Sequence, residues 1–320
     1  MDEDKLRLAM ERVEELYHST DGKCYLSFSG GKDSTVILAI IKMCQELGTV
    51  GDIPAVYCET GLELGATREF VNWVEENWYH NVVRIEPEKP FAYVIKHYGK
   101  PIKSKMKSDR LGRLQRNRDE TNLNFKELIG GDDIKPYHKV KIANKDLHMI
   151  HPDFDIKVSN KCCDVLKKKP FEKYNKESGI DGYILGERMA EGGVRQLAAE
   201  RRMLDGGKVC TKTKGKYKIK LPIIDWTDED VEQFIEEYDV PLSKAYTEQG
   251  YKRTGCFLCP YSLKTEENMG KLYDYEPVRY KATLHLMKDV LIAQNVKMPF
   301  DEEYETERKE AWLNPAVTSI

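Results

Sequence analysis

Short apolar segments alternate with amphipathic segments between Lys23 and Pro87, and this alternation constrains the fold most strongly. The segments KCYLSFS, DIPAVYC and NVVRIEP are typical of buried strands, and the stretches that follow the first two have helical spacing. Strands that alternate with helices imply right-handed crossovers and a parallel sheet. The sequence therefore predicts an α/β fold with a doubly wound parallel sheet.

Composition narrows the class of protein. The chain has 320 residues, of which 40% are hydrophobic, and this is enough for a substantial core. The net charge of −3 gives no overall attraction to nucleic acid. The N-terminus is acidic and amphipathic, unlike a signal peptide, and no stretch approaches the roughly 18 apolar residues of a membrane span. We therefore expect a soluble, cytoplasmic protein.

A glycine-rich loop, Ser-Gly-Gly-Lys-Asp-Ser, follows the first strand at residues 29–34. The loop matches neither the Walker pattern nor the dinucleotide-binding pattern. Gly30 and Gly31 can turn backbone N–H groups inward, and Lys32 and the following helix N-terminus add positive charge. The loop is thus predicted to bind a phosphate or sulfate chain. The alternative is a glycine-rich turn with a solvated lysine.

Several strings resemble a known family. The loop resembles the PP-loop of the adenine-nucleotide α-hydrolase superfamily, whose Rossmann-like enzymes cleave ATP between its α and β phosphates or bind a sulfated adenosine nucleotide. YCETGLELGATREF, GERMAEGGVR and the stretch from LPIIDWT to GCFLCP resemble motifs of the phosphoadenylyl-sulfate and adenylyl-sulfate reductase branch. The resemblance covers residues 20–265. Glu59 replaces the family's aspartate and Gly192 its serine.

The resemblance implies a set of site residues. The implied catalytic residues are Lys32, Asp33 and Arg188, with Mg²⁺ near Asp33. The implied nucleotide-binding residues are Ser27, Ser29, Gly30, Gly31, Lys32, Asp33, Ser34, Glu59, Thr60, Gly61, Gly186, Arg188, Glu191 and Arg195. Arg188 and Arg195 suit an anion clamp because a guanidinium group can bind two oxygens at once. Their alternative role is to bridge acidic neighbours on the surface.

Four of the eight cysteines stand in close pairs, Cys162–Cys163 and Cys256–Cys259. They resemble the C-C…C-x-x-C pattern of the iron–sulfur members, which implies that four thiolates hold a [4Fe–4S] cluster. Structural zinc, which also takes four thiolates, remains an alternative. A pure core role for all four is the third interpretation.

The family's reductases carry a nucleophilic cysteine in a late E-C-G-[LI]-H motif, whereas the last cysteine here is Cys259. The first hypothesis is therefore an ATP pyrophosphatase that activates an acceptor by adenylation for sulfur transfer, of the nucleic-acid thiolation or phosphorothioation type. The second is a reductase with a relocated nucleophile, for which Cys210 is the candidate. The third is a non-catalytic nucleotide-binding subunit with a structural metal site.

Residues 96–118 contain nine Lys or Arg and one Asp, a composition that suits DNA or tRNA as the acceptor but also a solvated face. A cysteine desulfurase would suit the role of sulfur donor. We expect an N-terminal helix over residues 1–20 and a nucleotide-binding domain over 21–265, with a basic insertion at about 96–160. A helical extension with a charged tail would follow over 266–320. Thr227 and Asp230 predict a capping box at the start of a helix.

Overall fold

A six-stranded sheet forms the centre of the computed structural model, which describes residues 2–118, 123–130, 141–262 and 264–313. The strands are β1 (Cys24–Phe28), β2 (Ala55–Cys58), β3 (Val82–Ile85), β4 (Gly182–Ile184), β5 (Thr211–Lys214) and β6 (Tyr217–Lys220). They lie in the order β3-β2-β1-β4-β6-β5. All neighbours pair in parallel except β5 and β6. The predicted α/β fold is confirmed, with one antiparallel strand at the edge of a mostly parallel sheet.

The sheet reverses its direction of growth beside β1. The chain passes from β1 to β2 and β3 on one side, whereas β4 pairs with β1 on the other. Loops that follow two such strands diverge and leave a crevice at their carboxyl ends, where α/β proteins bind ligands. The glycine-rich loop follows β1, and Gly186 and Arg188 follow β4. The topology therefore brings two of the predicted motifs to one crevice.

Thirteen α-helices are found within the described residues. They are α1 (Glu3–Ser19), α2 (Lys32–Glu46), α3 (Gly65–Asn77), α4 (Phe91–Tyr98), α5 (Lys105–Arg116), α6 (Leu123–Ile129), α7 (Lys169–Glu177), α8 (Gly193–Leu204), α9 (Asp228–Glu237), α10 (Lys244–Thr247), α11 (Thr265–Tyr275), α12 (Pro277–Ala293) and α13 (Glu302–Leu313). Thr227 and Asp230 form the predicted capping box of α9. No helix in the described ranges is both long and apolar enough to cross a bilayer.

The chain forms two compact units. The first comprises Met1–Glu59, Glu63–Glu86 and Pro170–Thr254, and the second comprises Thr60–Leu62, Pro87–Lys169 and Gly255–Ile320. The first unit holds the whole sheet and a core in which Val13 and Leu16 of α1 and Ile37 and Ile40 of α2 are buried with Leu26 of β1. Hydrophobic burial of this kind is the main force that stabilises the unit.

The second unit has a helical core of its own. Val94 of α4, Leu111 and Leu114 of α5, and Met287 and Val290 of α12 are buried together. The predicted basic insertion falls in this unit, although residues 119–122 and 131–140 of it lie outside the described residues. Residues 314–320 of the predicted charged tail also lie outside the described residues.

Candidate functional site

The glycine-rich loop is held by its own serines. Ser34 Oγ donates to the carbonyl oxygen of Gly31 at 2.8 Å and accepts from the backbone N–H of Ser29 at 3.2 Å. Ser29 Oγ lies 3.0 Å from Ser34 Oγ and accepts from the N–H of Gly31. The backbone turns at Gly30, whose φ is +67°. These bonds fix the loop where α2 begins, so the positive end of the helix dipole faces the crevice.

Tyr246 of α10 reaches this loop. Its hydroxyl oxygen accepts the backbone N–H of Lys32 at 3.2 Å and lies 3.1 Å from Thr254 Oγ1. A Cβ atom on Gly31 would lie 3.0 Å from Thr254 Oγ1 and 3.3 Å from the Tyr246 hydroxyl. The loop therefore approaches these two side chains so closely that a Cβ atom at Gly31 would force them to shift.

Arg188 is the most buried cation of the site, with 2% of its surface exposed. Its Nε donates to Asp33 Oδ1 at 2.8 Å and its Nη2 to Asp228 Oδ1 at 2.6 Å. Nη1 donates to the carbonyl oxygen of Trp226 at 3.4 Å. Lys32 Nζ lies 3.8 Å from the same Asp228 oxygen. A buried charge is tolerated only with such partners. Through these bonds Arg188, in the loop after β4, connects α2 with α9.

Glu191 organises a second pair of cations. Its side chain is 7% exposed, forms ion pairs with Arg195 and Arg253, and accepts the backbone N–H of Arg188 at 3.3 Å. Arg195 lies on α8, and Arg253 precedes Thr254 in the last segment of the unit. One carboxylate thus holds two exposed arginine side chains at the edge of the crevice.

These residues line one cavity of about 740 Å³, within the rough range of 300–1,000 Å³ for small-molecule sites. The predicted residues in its wall are Ser27, Ser29, Gly31, Lys32, Asp33, Ser34, Gly186, Arg188, Glu191 and Arg195. The sequence assigned no role to Asp228, Tyr246, Tyr251, Lys252, Arg253 and Thr254, which the structure adds. All six lie in the stretch from LPIIDWT to GCFLCP, whose resemblance to the family was the signal that could have found them.

Four predicted residues are placed elsewhere. Gly30 lies in the loop but packs toward α3, where a Cβ atom would lie 2.9 Å from Val71 Cγ2. Glu59 forms ion pairs with Arg68 and Arg84. Thr60 and Gly61 belong to the second unit.

Burial and pairing shift the acidity of the two aspartates in opposite directions. Burial raises the pKa of Asp33, and Arg188 opposes this increase only in part. The hydrogen bond from Arg188 lowers the pKa of the more exposed Asp228. A cation bound at Asp33 would offset the desolvation of its charged form.

The four paired cysteines line a small apolar cavity in the second unit, together with Leu62, Phe91, Leu166 and Leu258. Cys162 Sγ lies 4.0 Å from Cys163 Sγ. Within the described residues, no three His, Cys, Asp or Glu side chains are positioned to hold one metal ion as they stand. The structure thus brings all four predicted cysteines to one cavity of thiol donors.

A hydrogen bond and nearby lysines favour the thiolate form of Cys163. The hydrogen bond from Cys162, together with Lys105 and Lys167, lowers the pKa of Cys163. The same hydrogen bond raises the pKa of Cys162, and burial raises that of Cys259 to about 12. Asp164 forms ion pairs with Lys105 and Lys168 beside the cysteines.

Cys210 lies away from both cavities. It packs against an apolar cluster of the first unit with Ile219, Leu221 and Ile224, and its Sγ lies 3.8 Å from Thr211 Oγ1. Within the described part of the chain, no cysteine is among the residues that line the 740 Å³ cavity.

Comparison with known proteins identifies relatives of this chain. Residues 23–132 and 132–262 match the family described as the phosphoadenosine phosphosulfate reductase domain. Two uncharacterized proteins of Methanocaldococcus jannaschii are 24% and 26% identical over 82% of the chain, which spans 41% and 51% of their lengths. The chain thus spans about half the length of these relatives. An adenosine 5'-phosphosulfate reductase of Oceanobacillus iheyensis is 27% identical over 47% of the chain and 64% of its own length.

Two solved structures are similar at 15% identity. The phosphoadenylyl-sulfate reductase from Candida auris has a TM-score of 0.45 over 78% of this chain and 87% of its own. The U34-tRNA thiolase NcsA from Methanococcus maripaludis with its [4Fe-4S] cluster has a TM-score of 0.40 over 93% of this chain and 83% of its own.

Proposed function

We propose, from the premise that this chain belongs to the phosphoadenosine phosphosulfate reductase domain family, that it is an ATP pyrophosphatase. It activates an acceptor by adenylation for sulfur transfer. The observation that carries the proposal is that Lys32 and its neighbours in the glycine-rich loop line one cavity with Arg188 and Asp228. A nucleic acid is the acceptor that we propose, and a cysteine desulfurase is the sulfur donor.

The phosphate chain of ATP would bind at the loop. The N-terminus of α2 supplies backbone N–H donors and Lys32 supplies a full charge, while the phosphate oxygens replace the Tyr246 hydroxyl as acceptor from Lys32. Asp33 and Asp228, which both bind Arg188 and line this cavity, would hold Mg²⁺ together with the phosphate oxygens. Mg²⁺ prefers carboxylate and phosphate oxygens, so this donor set fits the metal. The metal would neutralise phosphate charge.

The side chains contribute to this reaction mostly by positioning the acceptor and the phosphate chain. An acceptor oxygen attacks the α phosphorus and loses its proton, and the bond from that phosphorus to the bridging oxygen breaks. Pyrophosphate leaves with the electron pair. Lys32 and the helix N-terminus stabilise the charge that develops on the phosphate oxygens. A reduced sulfur nucleophile then displaces AMP from the adenylated acceptor.

The four cysteines would hold a [4Fe–4S] cluster. Four thiol donors on one apolar cavity fit the cluster's ligand count, and the lysines beside Cys163 offset the negative charge of thiolates. When it is present, the cluster would bind the sulfur atom or relay it to the acceptor. Zinc is the competing occupant, and metal and sulfide analysis of anaerobically purified protein separates the two.

The proposed function is tested by pyrophosphate release from Mg-ATP with and without nucleic acid. We expect Lys32→Ala to lower the rate by about a hundredfold or more, because the variant removes the cation nearest the phosphate chain. The measurement is an enzyme-coupled assay for pyrophosphate.

Lys42→Ala is the matched control. Lys42 lies on the same helix, but its Nζ donates to the carbonyl oxygen of Trp78, away from the 740 Å³ cavity. This control should retain activity within about twofold, because Lys42 does not line that cavity and its contacts are with Trp78. Unchanged pyrophosphate release in Lys32→Ala would disprove the assignment.

Adenylyl-sulfate reduction is the second candidate, because curated relatives of the chain are adenosine 5'-phosphosulfate reductases. Thermal stabilisation by Mg-ATP, adenylyl sulfate and phosphoadenylyl sulfate separates the two candidates, since a ligand that binds only the folded state raises the melting temperature. Sulfite production with a thiol donor, lost in Cys210→Ser, would favour the reductase. Tight nucleotide binding without turnover would favour the non-catalytic alternative.

A further inference from the structure

A second polar cavity lies in the second unit, between α5 and the segment that precedes the cysteine pair. Its volume is about 270 Å³. The residues that face it are Asp109, Arg113, Arg116, Ser159, Asn160 and Lys161, above the buried Ser108. No apolar side chain is found in its wall among the described residues.

The backbone around this cavity is held firmly. A Cβ atom on Gly112 would lie 2.5 Å from the carbonyl oxygen of Val158, so α5 and the segment are in backbone contact. The Gln115 side chain donates to the carbonyl oxygen of Ile156 and accepts the N–H of Val158, both at 2.8 Å. These contacts bring Arg116 of α5 and Lys161 of the segment to one cavity.

The charge of the wall is positive. Arg113, Arg116 and Lys161 carry three positive charges against the single carboxylate of Asp109, which forms an ion pair with Arg113 and accepts a hydrogen bond from Asn160. Lys161 Nζ also lies 3.8 Å from Asp164 Oδ2 outside the wall. Arg116 forms no ion pair within the described residues. The cavity therefore keeps an excess of positive charge for an anion.

Most other basic residues of the segment are already neutralised. Lys100 pairs with Asp289, Lys103 with Asp146, and Lys105 with Asp164. Arg110 pairs with Asp109 and Glu127. The segment 96–118 is therefore not a uniformly basic face, and Arg116, which lines this cavity, is among its cations without an acidic partner in the described residues.

We infer that this cavity binds a backbone phosphate of the nucleic-acid acceptor, an assignment that rests on the proposed function. Guanidinium groups and a lysine bind phosphate oxygens, and the hydroxyl of Ser159 and the amide of Asn160 can donate hydrogen bonds. A free nucleotide would need an apolar or aromatic wall for its base, which this cavity does not offer. Lys161 immediately precedes Cys162, so a bound strand would lie beside the cysteine cavity.

Fluorescence anisotropy tests the inference on the full chain, with labelled RNA, single-stranded DNA and duplex DNA of about 20 nucleotides. The double variant Arg116→Glu/Lys161→Glu should weaken binding by about tenfold or more and reduce the salt slope by about one. The control, Lys96→Glu/Lys281→Glu, makes the same change in net charge at exposed positions of the same unit outside the cavity. It should weaken binding by less than about threefold.

Two outcomes would overturn the inference. Equal losses in the two double variants would show diffuse attraction rather than a site. Displacement by polyglutamate as efficient as by unlabelled strand would show an acidic protein partner.

Thermal stabilisation by Mg-ATP tests the proposed function separately from strand binding. The cavity variants should keep the wild-type thermal stabilisation by Mg-ATP, because none of the substituted residues lines the 740 Å³ cavity. Absence of that stabilisation in the wild type would overturn the pyrophosphatase assignment and leave strand binding to be judged by the anisotropy data.

Discussion

Gly30 determines both the backbone turn and the packing of the glycine-rich loop. Its φ of +67° lies in the left-handed region, which favours glycine. A Cβ atom there would also lie 2.9 Å from Val71 Cγ2 and 3.0 Å from Thr67 Cγ2 of α3. The loop can therefore turn into the crevice only because this position lacks a side chain.

We predict that Gly30→Ala lowers the free energy of unfolding by about 2–4 kcal/mol, the sum of left-handed backbone strain and overpacking. Gly48→Ala is the control, because its φ of +71° is similar but a Cβ atom there would meet open space. It should cost about 1–2 kcal/mol from backbone strain alone. Urea denaturation measures both, and equal losses would contradict the packing argument.

The motif predicted the contiguous residues of the site better than the distant ones. Ser29, Lys32 and Ser34 lie where the string indicated because a strand, a tight loop and a helix are local structures. Asp228 and Tyr246 reach the same cavity from elsewhere in the chain. No local pattern shows which distant carboxylate pairs with Arg188.

At the scale of elements, the contact between α5 and the segment Lys157–Asn160 decides where several charges lie. Lys100 pairs with Val158 as a short parallel bridge, and Gly112 lets α5 approach the same segment. The composition of residues 96–118 predicted a basic surface, whereas the fold pairs much of it with acidic residues from other elements. Sequence composition counts charges but does not assign their partners.

We predict that Gly112→Ala is destabilising by about 1–3 kcal/mol, because the added methyl group meets a backbone carbonyl that has little freedom to move. Gly270→Ala in α11 is the control, since its Cβ atom would lie at an ordinary 3.7 Å from Phe300 Cε1. Alanine there should stabilise the protein by about 0.5–1 kcal/mol through helix propensity. Thermal and urea unfolding measure both, and stabilisation by both substitutions would show that α5 can shift.

At the scale of the whole molecule, the chain has two units with separate cavities. The first carries the 740 Å³ cavity with the glycine-rich loop, and the second carries the cysteine cavity and the smaller polar cavity. Each site is built from residues of a single unit. The nucleotide and the proposed cluster should therefore stabilise different parts of the chain.

Hydrogen exchange tests this division. Mg-ATP should slow exchange in residues 27–35, 186–195 and 228–254, because a ligand that binds the native state reduces local opening. Anaerobic reconstitution with iron and sulfide should slow exchange in residues 156–169 and 255–262. Lys32→Ala should lose only the first effect and Cys256→Ser only the second. Protection of neither set in the wild type would contradict both binding assignments.

The sequence by itself predicted the α/β class, the position of the glycine-rich loop between β1 and α2, and the capping box of α9, because each follows from a pattern that is local in the chain. Family resemblance added the paired cysteines and Arg188. Only the tertiary structure decided that Asp228 and Asp33 share Arg188, that Tyr246 bonds to the loop, and that Arg116 and Lys161 line one cavity. These pairings join residues far apart in the chain, and the fold selects them by burying some charges and neutralising others.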